Sequence, residues 1–496
     1  MKRLAVGLLL IFVMQRPAVA ATEDETYVFM HHAVSAANAS AQRAFDQGLT
    51  FVYAFNRQAA ESAFRKAADL DPNLAIAWWG VALALGPNIN VAMSKDELRS
   101  ARDAIAKAKA LESHASVEER ELIDALDVRY MNSDQDKGAI PYAAAMEKVA
   151  KDYPNDPDVE ALYIESRMDD LFFNLSASKW TQWSRARLRA GADVARWPEH
   201  IGILHYFIHL TEPNTSALAF HAADTLAADR FAPQASHLTH MPSHVYVHAG
   251  EWSKVATLNR AAVQMDVAQA KAAGEQPSHL DYFFHNFAFW YGAAIMSGNA
   301  DEALAAAGAL LSYNRDARWI AESRLGQVEA AARDMEVSGI SRRLAEAPLP
   351  ALVAYGVTCA ETGKLSDAQH VAGQIHAKTS LGRLGTLAFD IVTGRIAEAN
   401  GERDKAEAMY SSAARLQDEE DFEDAPPWSY YPRELLADLQ MRSGDPAAAE
   451  RTAEAELLQH PRSAPALKLL ASAYAALGRA SDAQRIRLEL ESQSAH

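Results

Sequence analysis

Cysteine is almost absent from this chain: Cys359 is the single example in 496 residues. One cysteine cannot form an intramolecular disulfide, so stability has to come from packing. It also excludes the zinc and iron–sulfur sites that are built from several thiolates. Any metal site in this chain therefore has to use histidine, aspartate or glutamate, with methionine as a further option.

Runs of basic residues are also lacking. The formal net charge is −17, and loss of Lys2, Arg3 and Arg16 with an N-terminal leader would change it to −20. An acidic surface without basic clusters argues against binding to nucleic acid and to anionic membranes. We therefore expect no nucleic-acid partner.

No apolar run in the sequence reaches the roughly 18 residues that a membrane-spanning helix needs. The apolar run Leu4–Met14 follows Lys2-Arg3 and precedes Ala18-Val19-Ala20, which is the order of parts in a secretory signal peptide. The alternative, a membrane anchor, needs a longer run. We predict a signal peptide over residues 1–20, cleavage after Ala20, no membrane span in the mature chain, and export to the periplasm or beyond the cell.

Glycine and proline are modest in number, alanine is abundant, and runs of β-branched residues are few, a composition that favours helix. A chain of this length is too long for one compact core, so several domains or a repeat architecture are expected. Helices are predicted in the central part at 95–111, 117–130, 142–151, 158–173, 180–190 and 200–210. Loops are predicted at 152–157 and 417–427.

A repeat is visible near both ends of the chain. The N-terminal unit comprises Gly48, Phe51, Ala60, Phe64, Ala67 and Pro72, and its spacing is that of a tetratricopeptide repeat. At the other end, Gly444 and Gly478 are one period of about 34 residues apart. A third unit comprises Gly394, Gly401, Ala406, Tyr410 and Ala413.

These spacings predict the fold. Small residues let the two helices of a hairpin approach closely, and large residues fill the space between neighbouring hairpins. Because each hairpin buries its apolar side only against the next one, the stack forms a superhelix with a concave groove. We predict an all-α tetratricopeptide-type solenoid with N-terminal hairpins at 21–111, a central region at 112–315 and C-terminal hairpins at 316–496.

Histidines are concentrated in the central region. Residues 200–285 hold ten of the seventeen, and His237, His240, His244 and His248 are spaced 3, 4 and 4 apart. A helix turns about 100° per residue, so these four side chains share one side of a helix. Upstream, the spacings between His205, His209 and Glu212 are 4 and 3, which also gives one shared side, and His285-Asn286 follows on another helix.

Histidines at this spacing predict a metal site. Two imidazoles four residues apart on a helix can bind one ion, and a carboxylate one turn on is a plausible third ligand. Imidazole suits zinc, copper and iron, so a transition metal ion is the expected cofactor. Histidines also cap helices, pair with carboxylates or lie satisfied in cores, and the number of them on shared sides is what favours metal. The candidate metal ligands are His205, His209, Glu212, His237, His240, His244 and His285.

The repeat register predicts where these side chains point. With Gly250 as the turn glycine, the four histidines from His237 to His248 occupy first-helix positions that line the concave groove in this fold. Pro242 should kink their helix. A small molecule or a peptide is the expected occupant of the groove. The residues expected to contact it are Arg57, Trp79, His248 and Asn286.

These motifs resemble those of a large, poorly characterised family of bacterial exported tetratricopeptide-repeat proteins with a histidine-rich centre. The resemblance rests on His205-Tyr206-Phe207-Ile208-His209, His240-Met241-Pro242-Ser243-His244 and His285-Asn286. It implies an all-helical repeat fold and a shared histidine centre, and it implies no settled reaction. Arg57 and Ala288 stand where the family often has histidine. These departures imply a smaller metal site, or a fixed positive charge at Arg57 for an anionic ligand.

Two functional hypotheses follow. The first is an exported protein that binds a transition metal through a groove-facing histidine cluster, with metal-dependent catalysis, hydrolytic or redox, left open. The alternative is a non-catalytic scaffold of the cell envelope that binds a peptide or protein in its groove.

Overall fold

The computed structural model describes residues 27–173, 180–212, 214–378, 382–419 and 430–494, and over these residues the chain forms helices joined by turns and short loops. The predicted signal peptide at 1–20 lies outside the described residues. So does most of the predicted loop at 417–427, of which residues 417 and 418 are helical.

The helices follow one another along the whole described chain. The first group is α1 (Ala39–Tyr53), α2 (Arg57–Leu70), α3 (Ala75–Leu85), α4 (Lys95–Ala110), α5 (Val117–Tyr130), α6 (Gln135–Asp152), α7 (Pro157–Phe173) and α8 (Trp180–Arg196). The second is α9 (Ile201–Thr211), α10 (Ala217–Ala228), α11 (Ser236–His240), α12 (Ser243–Ala249), α13 (Trp252–Ala273), α14 (Phe283–Met296) and α15 (Ala300–Leu310). The third is α16 (Ala317–Arg324), α17 (Val328–Ser338), α18 (Leu349–Glu361), α19 (Leu365–Ala377), α20 (Gly382–Ala399), α21 (Arg403–Asp418), α22 (Pro432–Arg442), α23 (Pro446–Gln459), α24 (Ala464–Ala476) and α25 (Ala480–Ser494).

Neighbouring helices pack as antiparallel pairs, and alternate helices also touch. Along the stack α1 packs on α2 and on α3, α18 packs on α19 and on α20, and α22 packs on α23 and on α24. This is the arrangement of a tetratricopeptide-type solenoid, in which each hairpin covers the apolar side of its neighbour. The predicted all-α solenoid is confirmed.

The predicted helix at 117–130 matches α5, whereas two other helices are longer than predicted. The helix predicted at 142–151 begins at Gln135, because the Asp134 side chain accepts a hydrogen bond from the Lys137 backbone N–H and so caps it. Pro141 lies inside this helix instead of preceding it. The helix predicted at 180–190 continues to Arg196.

The glycines of the repeat pattern are there for close packing. A Cβ on Gly48 would lie 2.7 Å from the Phe64 ring, and a Cβ on Gly80 would lie closer still. The ring of Phe64, on α2, is thus held between the backbones of α1 and α3. Gly394 packs against the Tyr410 ring in the same way, so the rule that the sequence predicted applies in a distant repeat.

Buried apolar side chains form one continuous core from Ala41 to Ala321. A second core joins α16 through α22, and a smaller one lies in the last hairpins. The domain divisions at 111–112 and 315–316 stay predictions. None of the described helices combines the length and apolarity needed to span a lipid bilayer.

The last repeats return to the centre of the chain. The backbone N–H of Arg462 donates to the Ala249 carbonyl at 2.7 Å, next to the turn after α12. Gly250 in that turn has φ +79°, and a Cβ there would lie 2.9 Å from the backbone of Ser463. Glycine is therefore required at this position by its conformation and by the close approach of the chain.

Gly48→Ala tests the packing between hairpins. The added methyl group has no room beside Phe64, so the free energy of unfolding should fall by about 1–3 kcal/mol. Gly308→Ala is the matched control, since nothing lies within 4 Å of its Cβ position in α15. It should be neutral, or stabilise by up to about 1 kcal/mol. Thermal and denaturant unfolding measure both, and equal effects would contradict the packing argument.

Candidate metal centre

Four helices bring six histidines together. Helix α9 supplies His205 and His209, α11 supplies His237 and His240, α12 supplies His244, and α14 supplies His285. Pro242 has no backbone N–H to donate, and the helix is interrupted between His240 and Ser243. The predicted kink at Pro242 corresponds to this interruption, which separates α11 from α12 within the histidine cluster.

The six rings form two sets of three. We call His205, His209 and His237 the first histidine set, and His240, His244 and His285 the second histidine set. Within each set, one ring nitrogen from every histidine lies within 4.8 Å of the other two. The sets adjoin: ring centroids of His237 and His240 are 5.5 Å apart, and those of His209 and His244 are 5.6 Å apart.

The rings are buried, which corrects the expectation of an open histidine-lined groove. His205 and His240 are fully buried and His237 and His244 nearly so, whereas His209 and His285 are half-buried. Aromatic side chains cover the rings: Tyr282 stacks on His237 at 4.1 Å and Phe289 packs edge-on against His240 at 4.7 Å. The cluster therefore lies inside the stack of helices.

Phe55 packs on the first histidine set at a cost in backbone strain. Among the described residues it is the one non-glycine residue with positive φ, 54°. Its ring lies 4.6 Å from the His205 ring and within 5.8 Å of the rings of His209 and His237. A bulky residue in this conformation costs on the order of 1 kcal/mol or more. The surrounding packing holds Phe55 there against this cost.

Burial keeps the imidazoles neutral. It lowers the pKa of His205 to about 3, although the hydrogen bond to the Tyr53 carbonyl acts in the opposite direction. Burial, together with the neighbouring histidines, holds the pKa of His209, His237 and His240 well below the usual value of 6.5. At neutral pH each of these rings has one N–H and one nitrogen lone pair, the form that binds a metal ion.

Hydrogen bonds decide which nitrogen of His240 carries the proton. Its Nδ1 lies 2.6 Å from Asn259 Oδ1. The Asn259 amide is oriented by Nδ2, which donates to Ser243 Oγ at 2.7 Å and to the Val255 carbonyl at 2.8 Å. The oxygen therefore faces His240 and can only accept, so Nδ1 is protonated and Nε2 has the lone pair.

A hydrogen bond also orients His244. Its Nδ1 lies 2.8 Å from Glu212 Oε1. Burial acts to raise the pKa of Glu212, but His244 and His248 outweigh it and the pKa is lowered, so this group is a carboxylate that can only accept. His244 Nδ1 therefore carries a proton, which it donates to Glu212, and Nε2 points away from the carboxylate toward His240.

Two ring nitrogens consequently face each other in the second histidine set. His240 Nε2 and His244 Nε2 are 2.8 Å apart, and His285 Nε2 lies 3.0 Å from His240 Nε2. His240 presents a lone pair to His244 Nε2, so either a proton or a metal cation held between the two nitrogens stabilises the pair. The oxygen acceptors on the two Nδ1 atoms, Asn259 and Glu212, are the kind of outer partners that orient metal-binding imidazoles.

The first histidine set also has uncommitted nitrogens. His205 Nδ1 donates to the Tyr53 carbonyl at 2.6 Å, which leaves the lone pair on Nε2. That nitrogen, His209 Nε2 and both nitrogens of His237 are buried and have no hydrogen-bond partner in the described chain. A buried polar atom without a partner costs about 1–3 kcal/mol, and a metal ion bound to one nitrogen of each ring would relieve part of that cost.

Glu212 and His248 lie beside this centre. Glu212 contacts Nδ1 of His244 and lies 3.4 Å from Nε2 of His248, so it orients a candidate ligand instead of facing the lone pairs. His248 is half-buried and lies on the outer side of the carboxylate.

The remaining groove predictions are corrected. Trp79 lies in the apolar core. Asn286 is buried and donates to Asp266 at 2.9 Å. Arg57 donates to the Leu85 carbonyl at 2.6 Å and to Glu97 at 2.8 Å, so its charge is already paired. Each of these side chains is used inside the helix stack, where hairpin packing places it.

Sequence reasoning missed the residues that orient the histidines. Asn259 and Asp266 lie on α13, Phe55 follows α1, and the Tyr53 carbonyl ends that helix. No motif marks them. A buried asparagine in the middle of an alanine-rich helix, such as Asn259, is the one signal that could have been noticed.

A third group of possible ligands, His32 with Asp156 and Asp158, is better explained by ion pairing. His32 Nδ1 lies 3.1 Å from Asp158 Oδ2, and Nε2 lies 3.3 Å from Glu118 Oε1. Burial acts to lower the pKa of His32, but its hydrogen bonds to Asp158 and Glu118 outweigh this and raise it to about 10. A protonated ring cannot bind metal. His32 instead fastens the N-terminal segment to α5 and α7.

Comparison with solved structures finds helical-repeat proteins. Yeast Tom70 is 12% identical, with 91% of each chain covered and a TM-score of 0.33. A human IFIT1 dimer with m7Gppp-AAAA is 12% identical, with 91% of this chain and 96% of that chain covered and a TM-score of 0.29. The TPR domain of P58(IPK) is 13% identical, with 89% and 99% covered and a TM-score of 0.22. Similarity at this level bears on no site.

No protein-family model matches the chain, and no curated protein matches it.

The His32 ion pairs predict a specific pH dependence. His32→Gln should lower the free energy of unfolding near pH 6 by on the order of 2–4 kcal/mol, because the folded chain holds the imidazolium. The folded-state pKa of about 10 is above the unfolded value of 6.5. The stabilisation is thus fully present below pH 6.5 and is lost as the pH rises through 10. Denaturant unfolding from pH 6 to 10 should show the difference between the parent and His32→Gln shrinking.

His31→Gln is the control for this measurement. His31 pairs with Asp46 but its side chain is 67% exposed, so its loss should cost less than about 1 kcal/mol. A difference for His32→Gln that stays constant over the pH range would contradict the ion-pair assignment.

Proposed function

We propose that this protein binds a transition metal ion, zinc, copper or iron, through its buried histidine centre. The observation that carries the proposal is the pair of Nε2 atoms of His240 and His244, 2.8 Å apart, on two rings whose Nδ1 atoms are committed to oxygen acceptors. His285 Nε2 adds a third nitrogen at 3.0 Å from His240.

Ligand chemistry supports this class of metal. The converging atoms are imidazole nitrogens, which suit zinc, copper and iron, whereas magnesium and calcium prefer oxygen. Three protein ligands also leave a fourth coordination position open, as catalytic sites do. A metal in such a site can activate water for hydrolysis or exchange electrons with a small substrate. The proposal includes such an activity and leaves its type to experiment.

The alternative is a non-catalytic scaffold that binds peptide or protein in the groove of the solenoid. It needs exposed, unpaired polar side chains to hold a peptide. Arg57, Trp79 and Asn286 do not provide them, because they are paired or buried. We therefore place metal binding first. Export remains part of the proposal and is supported by the order of charged, apolar and small residues over 1–20.

Metal content tests the proposal directly. The untagged parent should contain zinc, copper or iron by elemental mass spectrometry, and His205→Ala/His244→Ala should contain little or none. His370→Ala/His376→Ala is the matched control, since it removes two exposed histidines on α19 and should keep the metal of the parent. Absence of metal from the parent after incubation with each of the three ions would sink the proposal and favour the scaffold.

Glu212→Gln tests the role of the carboxylate that accepts the hydrogen bond from His244. The amide still accepts the His244 Nδ1–H but carries no charge, so the imidazole becomes a weaker ligand. Metal affinity should fall about 10- to 100-fold. Competition with a chromophoric chelator measures the change. Glu302→Gln, in which Glu302 pairs with Arg260 and Trp290 away from the histidines, should leave the affinity unchanged.

A further inference from the structure

We infer that the histidine centre holds two metal ions, one in each histidine set, with a small anionic oxygen ligand bridging them. The inference rests on the proposed metal-binding function and deepens it. It assigns the six histidines to two distinct ions, which neither the sequence nor the helix spacing decides.

The hydrogen bonds made by the ring nitrogens separate the two histidine sets. His240 uses Nδ1 on Asn259 and directs Nε2 toward His244 and His285. His244 likewise uses Nδ1 on Glu212. Neither ring has a nitrogen left for the first histidine set. An ion held by the second histidine set therefore leaves the first histidine set without a bound ion.

The first set has its own need for an ion. Several ring nitrogens of the first histidine set are buried and have no hydrogen-bond partner among the described residues. They are Nε2 of His205, Nε2 of His209 and both nitrogens of His237. One nitrogen from each ring lies within 4.8 Å of the others, the same convergence as in the second set. Metal binding at the second set alone would leave these atoms unsatisfied, at about 1–3 kcal/mol each.

The short distance between the two histidine sets would bring their ions together as a pair. Ring centroids across the boundary are 5.5 Å apart for His237 and His240, compared with 4.8 Å for His205 and His209 within the first set. Rings of different sets are thus nearly as close as rings of one set. Two three-nitrogen sites this close would bring two ions near enough to share one oxygen ligand, as in two-metal sites that clamp one oxygen ligand between them.

Charge points to an anion as that ligand. Imidazole ligands provide no negative charge, and Glu212 contributes one carboxylate, beside His244. Two divalent ions in a buried site need further compensation. Hydroxide derived from water fits in the resting protein. The half-buried edge at His209 and His285 limits exchange to small molecules, so the substrate class that fits is a small oxygen-donor ligand able to replace the bridge.

Copper(II) titration of the metal-free full-length protein tests the pair. The parent should bind two copper ions per chain. His209→Gln, in the first set, and His285→Gln, in the second, should each bind one. Glutamine keeps most of the side-chain volume at these two half-buried positions, and circular dichroism with thermal unfolding checks that both variants fold. His209→Asn and His285→Asn serve as second variants should either glutamine form unfold.

Electron paramagnetic resonance distinguishes a bridged pair from two separate ions. Bridged copper(II) ions couple their spins, so the integrated signal per copper should be several-fold weaker in the parent than in either variant. Two ions in the parent with the full signal for two would overturn the shared bridge. One ion in the parent, lost in both variants, would overturn the two-ion centre and leave metal binding standing. No copper, zinc or iron in the parent would remove the proposed function itself.

Discussion

The histidine centre depends on the packing of six imidazoles between four helices. Buried polar atoms need partners, and here the backbone and outer side chains satisfy one nitrogen on several rings while the other nitrogens converge. The converging nitrogens are the chemical basis of the metal-binding proposal, because a cation bound between them would satisfy several of them at once.

The solenoid provides the rigidity that such a site requires. Gly48 and Gly80 let the Phe64 ring fill the space between α1 and α3, which fixes the end of α1 where Tyr53 and Phe55 lie. Helix α13 then contributes Asn259, and Asp266 on the same helix accepts hydrogen bonds from Ser236 and Asn286, beside His237 and His285. Close packing between hairpins thus fixes the positions of the ring nitrogens.

The sequence predicted the helical-repeat fold and named the histidines that the structure brings together. It did not predict how these histidines are buried. Glycine and aromatic spacing follows from hairpin packing, so it predicted the helical repeat, and the break at Pro242 follows from its missing N–H. The register argument placed the histidines in an open groove. It failed because burial at His205 and His240 depends on Phe289 and on the stacking of α9 against α1, which are contacts between distant segments. The division into two sets, and the role of Asn259, required side-chain geometry that periodicity does not contain.

The return of the last repeats to the turn after α12 has a consequence for the order of folding. The polypeptide is synthesised from its N-terminus, yet the Ala249 carbonyl and the Glu251 carboxylate take their partners from Arg462, more than 200 residues later. Contacts of such long sequence separation form late. The turn that ends the helix bearing His244 therefore gains these partners only after the C-terminal repeats have been synthesised.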